Sequence, residues 1–332
     1  MKAAVLHAPG EIRIEERDRP TPGPREVLVQ ITAVGVCGSD VHYYEHGRIG
    51  SFVVEAPLIL GHESAGRVVE LGEGATKHAV GDRVTLEPGV PCGRCRECRA
   101  GRYNLCADVV FFATPPVDGA FVEFVAIHED FAFALPDELS DEECALMEPL
   151  SVGVWACQKA RVSAGDKVLV TGAGPIGQLA MQTAVAFGAT HVTVSDVNPH
   201  RLELARRTGA AQTVGPDDDL GDDYDALLEC SGHPAAVTAG ITALRPAGTA
   251  VLVGMGPGEE GTLPLSLIQS RELWVTGTFR YANTYPTAIA LAATGKVDLK
   301  AIMSGRFDLD EADAALRAGR EDPESVKPMV LL

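Results

Sequence analysis

The sequence has 332 residues, a net charge of −18 and hydrophobic residues at 46% of its positions. This length is sufficient for two domains with separate hydrophobic cores, and the ordinary composition excludes disordered and fibrous classes. The strong negative charge disfavours binding to nucleic acid or to anionic membrane surfaces, because such a chain repels phosphate groups.

The N-terminus and the cysteines together indicate a cytoplasmic protein. The segment MKAAVLHAPGEIRIEE lacks the apolar core of a signal peptide, and no run approaches the roughly 18 to 20 apolar residues needed to span a bilayer. Four of the eight cysteines form one tight cluster, which favours metal binding over a disulfide framework. We therefore predict a soluble, cytoplasmic protein without a membrane partner.

The first 150 residues predict a mostly antiparallel, β-rich domain. Short β-branched runs separated by glycine- and proline-containing turns are typical of such a sheet or barrel. The predicted strands are KAAVLH, EVLVQITAVGV, SAGRVVELG, GDRVTLEP and GAFVEFVAI. Functional motifs are expected on the loops between these strands.

From about residue 150, strands alternate with helices, which predicts βαβ units and a doubly wound parallel sheet. KVLVTGAG leads into the helix PIGQLAMQTAVAFGA, and HVTVSD leads into PHRLELARRTGA. Further strands are predicted in AAQTV, DALLECSG, TAVLVGMG and ELWVTGTF. PTAIALAATGKV and DEADAALRAGR are predicted helices, and PMVLL is expected to return to the first domain. The predicted domains are thus 1–150 with 286–332, and 151–285.

The segment GAGPIG matches the dinucleotide-binding fingerprint G-x-G-x-x-G at a predicted strand–helix junction. Gly172 permits the tight turn, Gly174 allows close approach of the pyrophosphate, and Gly177 allows close packing of the helix on the strand. Asp196 ends the next strand, where an acidic side chain binds ribose hydroxyls and repels a 2′-phosphate, so NAD is favoured over NADP. Arg201 leaves this choice open, because a nearby arginine either holds a 2′-phosphate or flanks the adenine.

Four cysteines in the segment PCGRCRECRAGRYNLC have the spacing of a closed, structural zinc site. They are Cys92, Cys95, Cys98 and Cys106. Thiolates spaced this closely can surround one zinc ion tetrahedrally. An iron–sulfur cluster is a less favoured alternative, and a zinc ribbon that binds nucleic acid is disfavoured by the acidic chain. The sequence predicts a structural-zinc lobe at residues 92–106.

Cys37, His62 and Glu63 form a sparser candidate for a second metal site. A catalytic zinc needs about three protein ligands and one open position, and these side chains offer suitable donor atoms. Taken singly, they are explained more simply as a small buried thiol, a loop histidine and a solvated carboxylate. Glu148 has the same ordinary explanation. The prediction therefore depends on their combination.

GHESAGRVVELGEGATKHAVGDRV resembles the zinc signature of the medium-chain dehydrogenase/reductase superfamily. GVCGSDVHYYEHGRIGSFVVEAPLILGHE, FFATPPVDGAF, EPLSVGVWAC, GAGPIG and FRYANTYP resemble, in the same order, the sorbitol (polyol) dehydrogenase family. The resemblance runs along nearly the whole chain. It implies an α/β protein with a GroES-like, β-rich catalytic domain and a Rossmann NAD-binding domain, assembled as a homotetramer.

The resemblance also implies roles for individual residues. The implied ligands of the catalytic zinc are Cys37, His62 and Glu63. The implied hydrogen-bonding and proton-relay residues beside it are Glu148, Ser39 and His42. The implied substrate contacts are Tyr43, Ile49, Phe111, Glu148, Phe279, Arg280 and Tyr281. The implied cofactor contacts, in addition to the three glycines, are Ile176, Asp196, Arg201, Val253, Gly254 and Met255. Two zinc ions per subunit are expected, one catalytic and one structural.

The expected reaction is the zinc-dependent oxidation of a secondary hydroxyl of a small polyol, such as sorbitol or xylitol, to the ketose with hydride transfer to NAD. The complete four-cysteine lobe resembles that of bacterial polyol and xylitol dehydrogenases, whereas some animal sorbitol dehydrogenases lack a complete set. One alternative is another zinc-dependent secondary-alcohol or L-threonine dehydrogenase. A non-catalytic NAD-binding protein is disfavoured, because Cys37, His62 and Glu63 are all present.

Overall fold

The computed structural model describes residues 1–256 and 260–332. The chain divides into two compact units. The first comprises Met1–Glu148 with Met303–Leu332, and the second comprises Pro149–Ile302. No helix in these described ranges is long and apolar enough to cross a membrane.

The first unit begins with short strands that pair mostly in antiparallel sheets. Its strands before Glu148 are β1 (Lys2–Ala8), β2 (Glu11–Glu16), β3 (Glu26–Gly35), β4 (Arg48–Ile49), β5 (Phe52–Val53), β6 (Leu58–Ile59), β7 (Glu63–Leu71), β8 (Arg83–Leu86), β9 (Gly89–Val90), β10 (Val110–Phe111), β11 (Phe124–His128) and β12 (Ala132–Ala134). Its helices in this part are α1 (Gly38–His46), α2 (Arg96–Arg99) and α3 (Asp141–Ala145).

The second unit alternates strands and helices, and its strands form one parallel sheet in the order β15-β14-β13-β16-β17-β18. The strands are β13 (Lys167–Thr171), β14 (His191–Ser195), β15 (Gln212–Val214), β16 (Tyr224–Glu229), β17 (Leu244–Leu252) and β18 (Trp274–Gly277). The helices are α4 (Met147–Ala160), whose first two residues belong to the first unit, α5 (Pro175–Ala186), α6 (Pro199–Arg207), α7 (Pro234–Thr242), α8 (Leu265–Ser270) and α9 (Tyr285–Ala293). This strand order is that of the doubly wound Rossmann fold, so the predicted fold class is confirmed.

Both faces of this parallel sheet are buried. Val168 and Val170 of β13 belong to one apolar cluster, whereas Leu169 between them belongs to another. Successive residues of a strand point to opposite faces, so the two clusters lie on the two sides of the sheet. The near-continuous apolar runs of the sequence are explained by this double burial.

The C-terminal segment completes the first unit with β19 (Met303–Asp308), α10 (Ala312–Glu321) and β20 (Lys327–Leu331). β20 pairs with β3, which lies inside the sheet β12-β8-β7-β3-β20-β19. The sequence did not indicate β19, because MSGRFD lacks a clear alternation of apolar and polar residues.

The chain returns to the first unit at Met303, whereas the sequence predicted a return at residue 286. The difference is explained by contacts of the intervening segment within the second unit. Gln182 of α5 exchanges two hydrogen bonds with the backbone of Asp298, at 2.6 and 3.3 Å. These bonds fix the residues that follow α9 to the Rossmann helices.

Candidate metal and cofactor sites

Cys37, His62 and Glu63 lie in one cluster of the first unit. One potential ligand atom of each residue lies within 4.8 Å of the other two. Cys37 immediately precedes α1, and Glu63 is the first residue of β7, where the ladder with β3 places it opposite Gly35. A Cβ atom at Gly35 would lie 2.2 Å from Glu63 Oε2, so the glycine leaves the space that this carboxylate occupies.

Asp40, which was not among the predicted residues, orients His62. Asp40 is fully buried, and its Oδ1 lies 3.5 Å from His62 Nδ1. Its carboxylate also accepts hydrogen bonds from the N–H groups of Gly61 at 2.9 Å and Cys37 at 3.0 Å. Because Nδ1 faces Asp40, Nε2 is the ring nitrogen left for a metal. The available signal was the spacing, since Asp40 follows Cys37 by three residues, as an acid does in a capping box, and it lies in the first turn of α1.

The charges around His62 determine its protonation in the absence of a metal. Burial alone would lower the pKa of His62, but the charges of Asp40 and Cys37 raise it well above its usual value. A metal at this position must therefore displace a proton from the imidazole, as metal binding to histidine generally does.

Lys327 of β20 is a second residue that the sequence did not reveal. Its ammonium group lies 2.6 Å and 2.7 Å from the two carboxylate oxygens of Glu63, and both side chains are almost fully buried. Burial would lower the pKa of Lys327, but the charges of Glu63, Cys37 and Glu148 raise it above its usual value. The two partners are 264 residues apart, so no local pattern connects them.

Two further predicted residues lie at this cluster. Glu148 is buried at the start of α4, and its charge acts on Lys327. The Phe111 ring packs against the His62 ring, with 5.9 Å between their centroids. The cluster is thus enclosed by an aromatic ring on one side and carries several buried charges.

The other predicted residues of the first unit lie on α1 and the short hairpin after it. His42 is exposed, and its ring meets that of His46 edge-on at 4.6 Å. Ser39 is partly exposed in the first turn of the same helix. Tyr43 is buried in the apolar core, and Ile49 is half-buried on β4.

Phe279, Arg280 and Tyr281 lie in the second unit, immediately after β18. The Arg280 guanidinium lies over the Phe279 ring, 4.9 Å from its centroid. Tyr281 is buried, and its ring lies 5.8 Å from that of Tyr285 at the start of α9. The segment therefore presents one cationic group beside one exposed aromatic ring.

The four cysteines of the predicted lobe also come together. One sulfur of each lies within 4.8 Å of the others, and Cys98 Sγ lies 3.4 Å from Cys95 Sγ and 4.0 Å from Cys92 Sγ. Zinc–sulfur bonds of about 2.3 Å in a tetrahedron place the sulfurs about 3.8 Å apart, so the cluster fits zinc. The N–H groups of Arg94 and Cys95 lower the pKa of Cys92 to about 7, which favours the thiolate that a metal requires.

Glu87 links this lobe to the rest of the first unit. Its carboxylate is 3% exposed and accepts a hydrogen bond of 2.7 Å from Tyr103, which lies between the third and fourth cysteines. Burial raises the pKa of Glu87 from 4.5 to about 7; the Tyr103 hydroxyl and the more distant Lys77 oppose this rise, and Glu148 adds to it. This acid was also absent from the predicted set.

The predicted dinucleotide loop has three glycines with three different environments. Gly172 has a φ of +86°, and a Cβ there would lie 2.8 Å from the N of Ser231. A Cβ at Gly177 would lie 1.8 Å from the carbonyl oxygen of Gly172, so this glycine is required for the packing of α5. A Cβ at Gly174 would meet no atom within 4 Å. The packing of the protein would therefore tolerate a side chain at position 174. The lack of one leaves room for a phosphate group at the N-terminus of α5.

Asp196 closes the far side of this loop. Its carboxylate accepts hydrogen bonds from the N–H groups of Ala173 at 2.6 Å and Asn198 at 2.7 Å. Arg201 lies in α6 after it, and its buried Nε has no partner among the described residues. Ile176 occupies the first turn of α5. The Arg201 Nε is therefore available to a ligand, and the role of this arginine stays a prediction.

The predicted Val253–Met255 turn follows β17 and is anchored by a buried acid. The N–H groups of Val253 and Gly254 donate to the carbonyl oxygen of Glu229, at 2.8 and 2.9 Å. The fully buried Glu229 carboxylate accepts the N–H groups of Ser231 and Gly232. Gly254 is a glycine because a Cβ there would lie 2.3 Å from the N of Gly232. Met255 is 71% exposed.

Comparison with known families first defines the class of protein. The family model for the alcohol dehydrogenase GroES-like domain matches residues 23–137, and the model for zinc-binding dehydrogenases matches residues 175–294. The first match lies within the β-rich first unit, and the second lies within the second unit with its parallel sheet.

Individual relatives narrow the class. The chain is 44% identical to sorbitol dehydrogenase from Bacillus subtilis (strain 168) over 99% of its length and 97% of the relative, and 44% identical to sorbitol dehydrogenase from Mus musculus over 96% and 92%. The structure of L-idonate 5-dehydrogenase from Escherichia coli superposes with a TM-score of 0.92 at 30% identity, covering 100% of this chain and 98% of the other. The chain belongs to the sorbitol dehydrogenase family of zinc-dependent medium-chain dehydrogenases/reductases.

Two glycine substitutions separate cofactor binding from packing. We expect Gly174→Ala to leave the free energy of unfolding within about 0.5 kcal/mol of the original and to weaken NADH binding by at least about tenfold, because the added methyl group occupies the phosphate position. Gly177→Ala should lower the free energy of unfolding by about 2 to 4 kcal/mol, although alanine normally favours a helix. Urea unfolding and fluorescence titration with NADH measure the two effects. Unchanged NADH affinity in Gly174→Ala would contradict the assignment of the loop.

Glu87 should make stability depend on pH. The folded state binds the Glu87 proton more tightly than the unfolded state, so this carboxyl contributes stability below about pH 4.5 that is lost as the pH rises through about 7. The shift corresponds to about 3 kcal/mol. Glu87→Gln keeps a neutral acceptor for Tyr103, so we expect it to be more stable than the original protein at about pH 8 and similar at about pH 4.

Urea unfolding followed by circular dichroism at both pH values tests this expectation. Glu138→Gln, which removes an exposed carboxylate of the same unit, provides the control. Parallel pH profiles for the original protein and Glu87→Gln would show that the Glu87 carboxyl does not titrate in this way.

Proposed function

We propose that this protein oxidises a secondary hydroxyl of a small polyol to the ketose, with NAD as the hydride acceptor. The observation that carries the proposal is the cluster of Cys37, His62 and Glu63, in which Asp40 orients the imidazole. Three protein donors with room for a further ligand are typical of a catalytic zinc site. The nearly full-length similarity to sorbitol dehydrogenases supports a polyol as the substrate class.

The two clusters are proposed to hold two zinc ions per subunit. Cys37, His62 and Glu63 would hold the catalytic ion, and the cysteines of the lobe would hold the structural ion. When bound, the catalytic zinc supplies Lewis acidity that lowers the pKa of a hydroxyl group, and NAD supplies the hydride acceptor.

The chain's own residues position the metal ligands and move the proton. Asp40 keeps Nδ1 of His62 engaged and therefore fixes the orientation of the ring. Glu148 would accept a hydrogen bond from the reacting hydroxyl. Ser39 and then His42 would carry the proton outward, and the exposure of His42 supports its place at the end of this path.

The remaining proposals follow the family resemblance. The substrate contacts are proposed to be Tyr43, Ile49, Phe111, Glu148, Phe279, Arg280 and Tyr281. Charged and hydroxyl groups such as those of Arg280 and Tyr281 favour a substrate with several hydroxyls, because an analogue that lacks one leaves a buried polar group unpaired. We also propose xylitol as a substrate alongside sorbitol, a homotetramer and a cytoplasmic location.

A panel of alcohols tests the substrate class. We expect chelator-sensitive formation of NADH with at least one of sorbitol, xylitol and ribitol, and much lower kcat/KM with L-threonine or 2-propanol. The absorbance of NADH measures each rate. Turnover of threonine or 2-propanol alone would assign the protein to a different dehydrogenase, and no turnover with zinc and NAD bound would favour a non-catalytic protein.

Substitution of a ligand tests the division of labour between the two units. Cys37→Ser should lower polyol oxidation by at least about a hundredfold, because the serine hydroxyl is a much poorer zinc ligand than a thiolate. NADH affinity should stay unchanged, since the glycine loop and Asp196 lie in the other unit. Cys144→Ser, which changes a buried thiol outside both clusters, is the control. Full activity of Cys37→Ser would refute the ligand assignment.

A further inference from the structure

Lys327 is a buried charge that the reaction described above does not use. It is 1% exposed, and its ammonium group has three acceptors: Val36 O at 3.0 Å and the two oxygens of Glu63 at 2.6 and 2.7 Å. An ammonium group has three donors, so every one is engaged. Burying a charge pair is costly unless its geometry is this complete, and removal of one partner leaves an uncompensated charge.

The Glu63 carboxylate is therefore shared between the Lys327 ammonium group and the proposed zinc ion. Its oxygens bind Lys327, and one of them also lies within 4.8 Å of the donor atoms of Cys37 and His62. Each carboxylate oxygen accepts in about two directions, and Lys327 occupies one of them on each oxygen. The carboxylate oxygens that a metal would bind are therefore already polarised by the Lys327 ammonium group. This polarisation makes Glu63 a weaker metal ligand.

We propose that Lys327 is a positioning residue that limits how strongly Glu63 binds the catalytic zinc, and thereby keeps this zinc exchangeable and electrophilic. The inference rests on the ligand set proposed above. Loss of a group that hydrogen-bonds to a metal ligand commonly lowers metal affinity by about 10- to 100-fold. Here the group is a cation whose charge repels a metal ion, so we expect its removal to act in the opposite direction with a similar, measurable size. Without Lys327, the buried carboxylate would have the metal as its main counter-charge and would hold it more tightly.

A purely structural role for Lys327 predicts a different result. The residue lies at the start of β20, so its contacts with Val36 and Glu63 also tie the C-terminal strand to the sheet. If this were its whole role, substitution would lower stability without slowing zinc release. It would also leave the metal's coordination unchanged.

Zinc release from the full-length, zinc-loaded protein distinguishes the two roles. Transfer of zinc to an excess of a chromophoric chelator gives the rates of zinc release. The kinetic phase that is missing in Cys37→Ser is the release of zinc from the catalytic site. We expect release from this site to be about tenfold slower in Lys327→Met. Lys327→Arg, which keeps the charge and the donors, should restore the rate to within about threefold of the original.

Lys2→Met is the matched control. Lys2 forms an ion pair with Asp310 in the same unit, but both side chains are about half exposed. This substitution changes the net charge by the same amount and should leave zinc release unchanged. Cobalt substituted at the catalytic site gives a second readout, since a tighter bond to Glu63 in Lys327→Met should shift the visible absorption bands.

Zinc release from Lys327→Met at the original rate or faster would overturn the inference, as would an unchanged cobalt spectrum. If Lys327→Met does not fold, Lys327→Gln replaces it, because the amide removes the charge and keeps a donor; here too slower release is required. Normal polyol oxidation with unaltered zinc release would refute only the role of Lys327. Failure of the zinc-loaded original protein to oxidise polyols would instead refute the proposed function, and the release rates would still decide the role of Lys327.

Discussion

The pairing of β3 with β7 on one side and with β20 on the other brings together the charged groups of the candidate metal-ligand cluster. Gly35 faces Glu63 across one ladder and Met329 across the other. The Glu63 carboxylate and the Lys327 ammonium group thus reach each other from strands on opposite sides of β3, while the chain leaves β3 towards Cys37. A slip of one residue in either ladder would turn one of these side chains to the other face of the sheet. The arrangement of these candidate metal ligands therefore depends on backbone hydrogen bonds of the central strand.

The cluster also contains several buried charged groups. Asp40, Glu63 and Glu148 are buried carboxylates, and Lys327 is a buried cation beside them. Without a metal, the raised pKa of His62 adds a second positive charge, which the neighbouring Asp40 and Cys37 stabilise. A zinc ion held by Cys37, His62 and Glu63 would supply positive charge in place of this proton. The site is thus arranged so that a proton and a metal ion compete for the same group of anions.

Local sequence patterns predicted the sites whose residues lie close together in the sequence. The glycine loop and the four cysteines each lie within a short segment, and alternating strands and helices indicated the doubly wound sheet. Asp40 had a weak local signal in its distance from Cys37. Lys327 had none, because its partner lies 264 residues away and only the sheet order brings them together. The sequence placed the return to the first unit too early, because the apolar pattern of helix α9 does not show which unit the helix packs against. The hydrogen bonds between Gln182 and Asp298 keep the residues after α9 in the second unit.

The four-cysteine lobe is connected to the candidate site of Cys37, His62 and Glu63. The lobe is closed at its base by the pairing of β9 with β10, and β10 ends at Phe111, whose ring packs on His62. A Cβ at Gly89 would lie 2.8 Å from the Phe111 ring, so this contact requires a glycine in β9. On the other side, Tyr103 of the lobe donates to Glu87. The fold of the lobe therefore bears on the position of a ring against a candidate zinc ligand and on the environment of a buried acid.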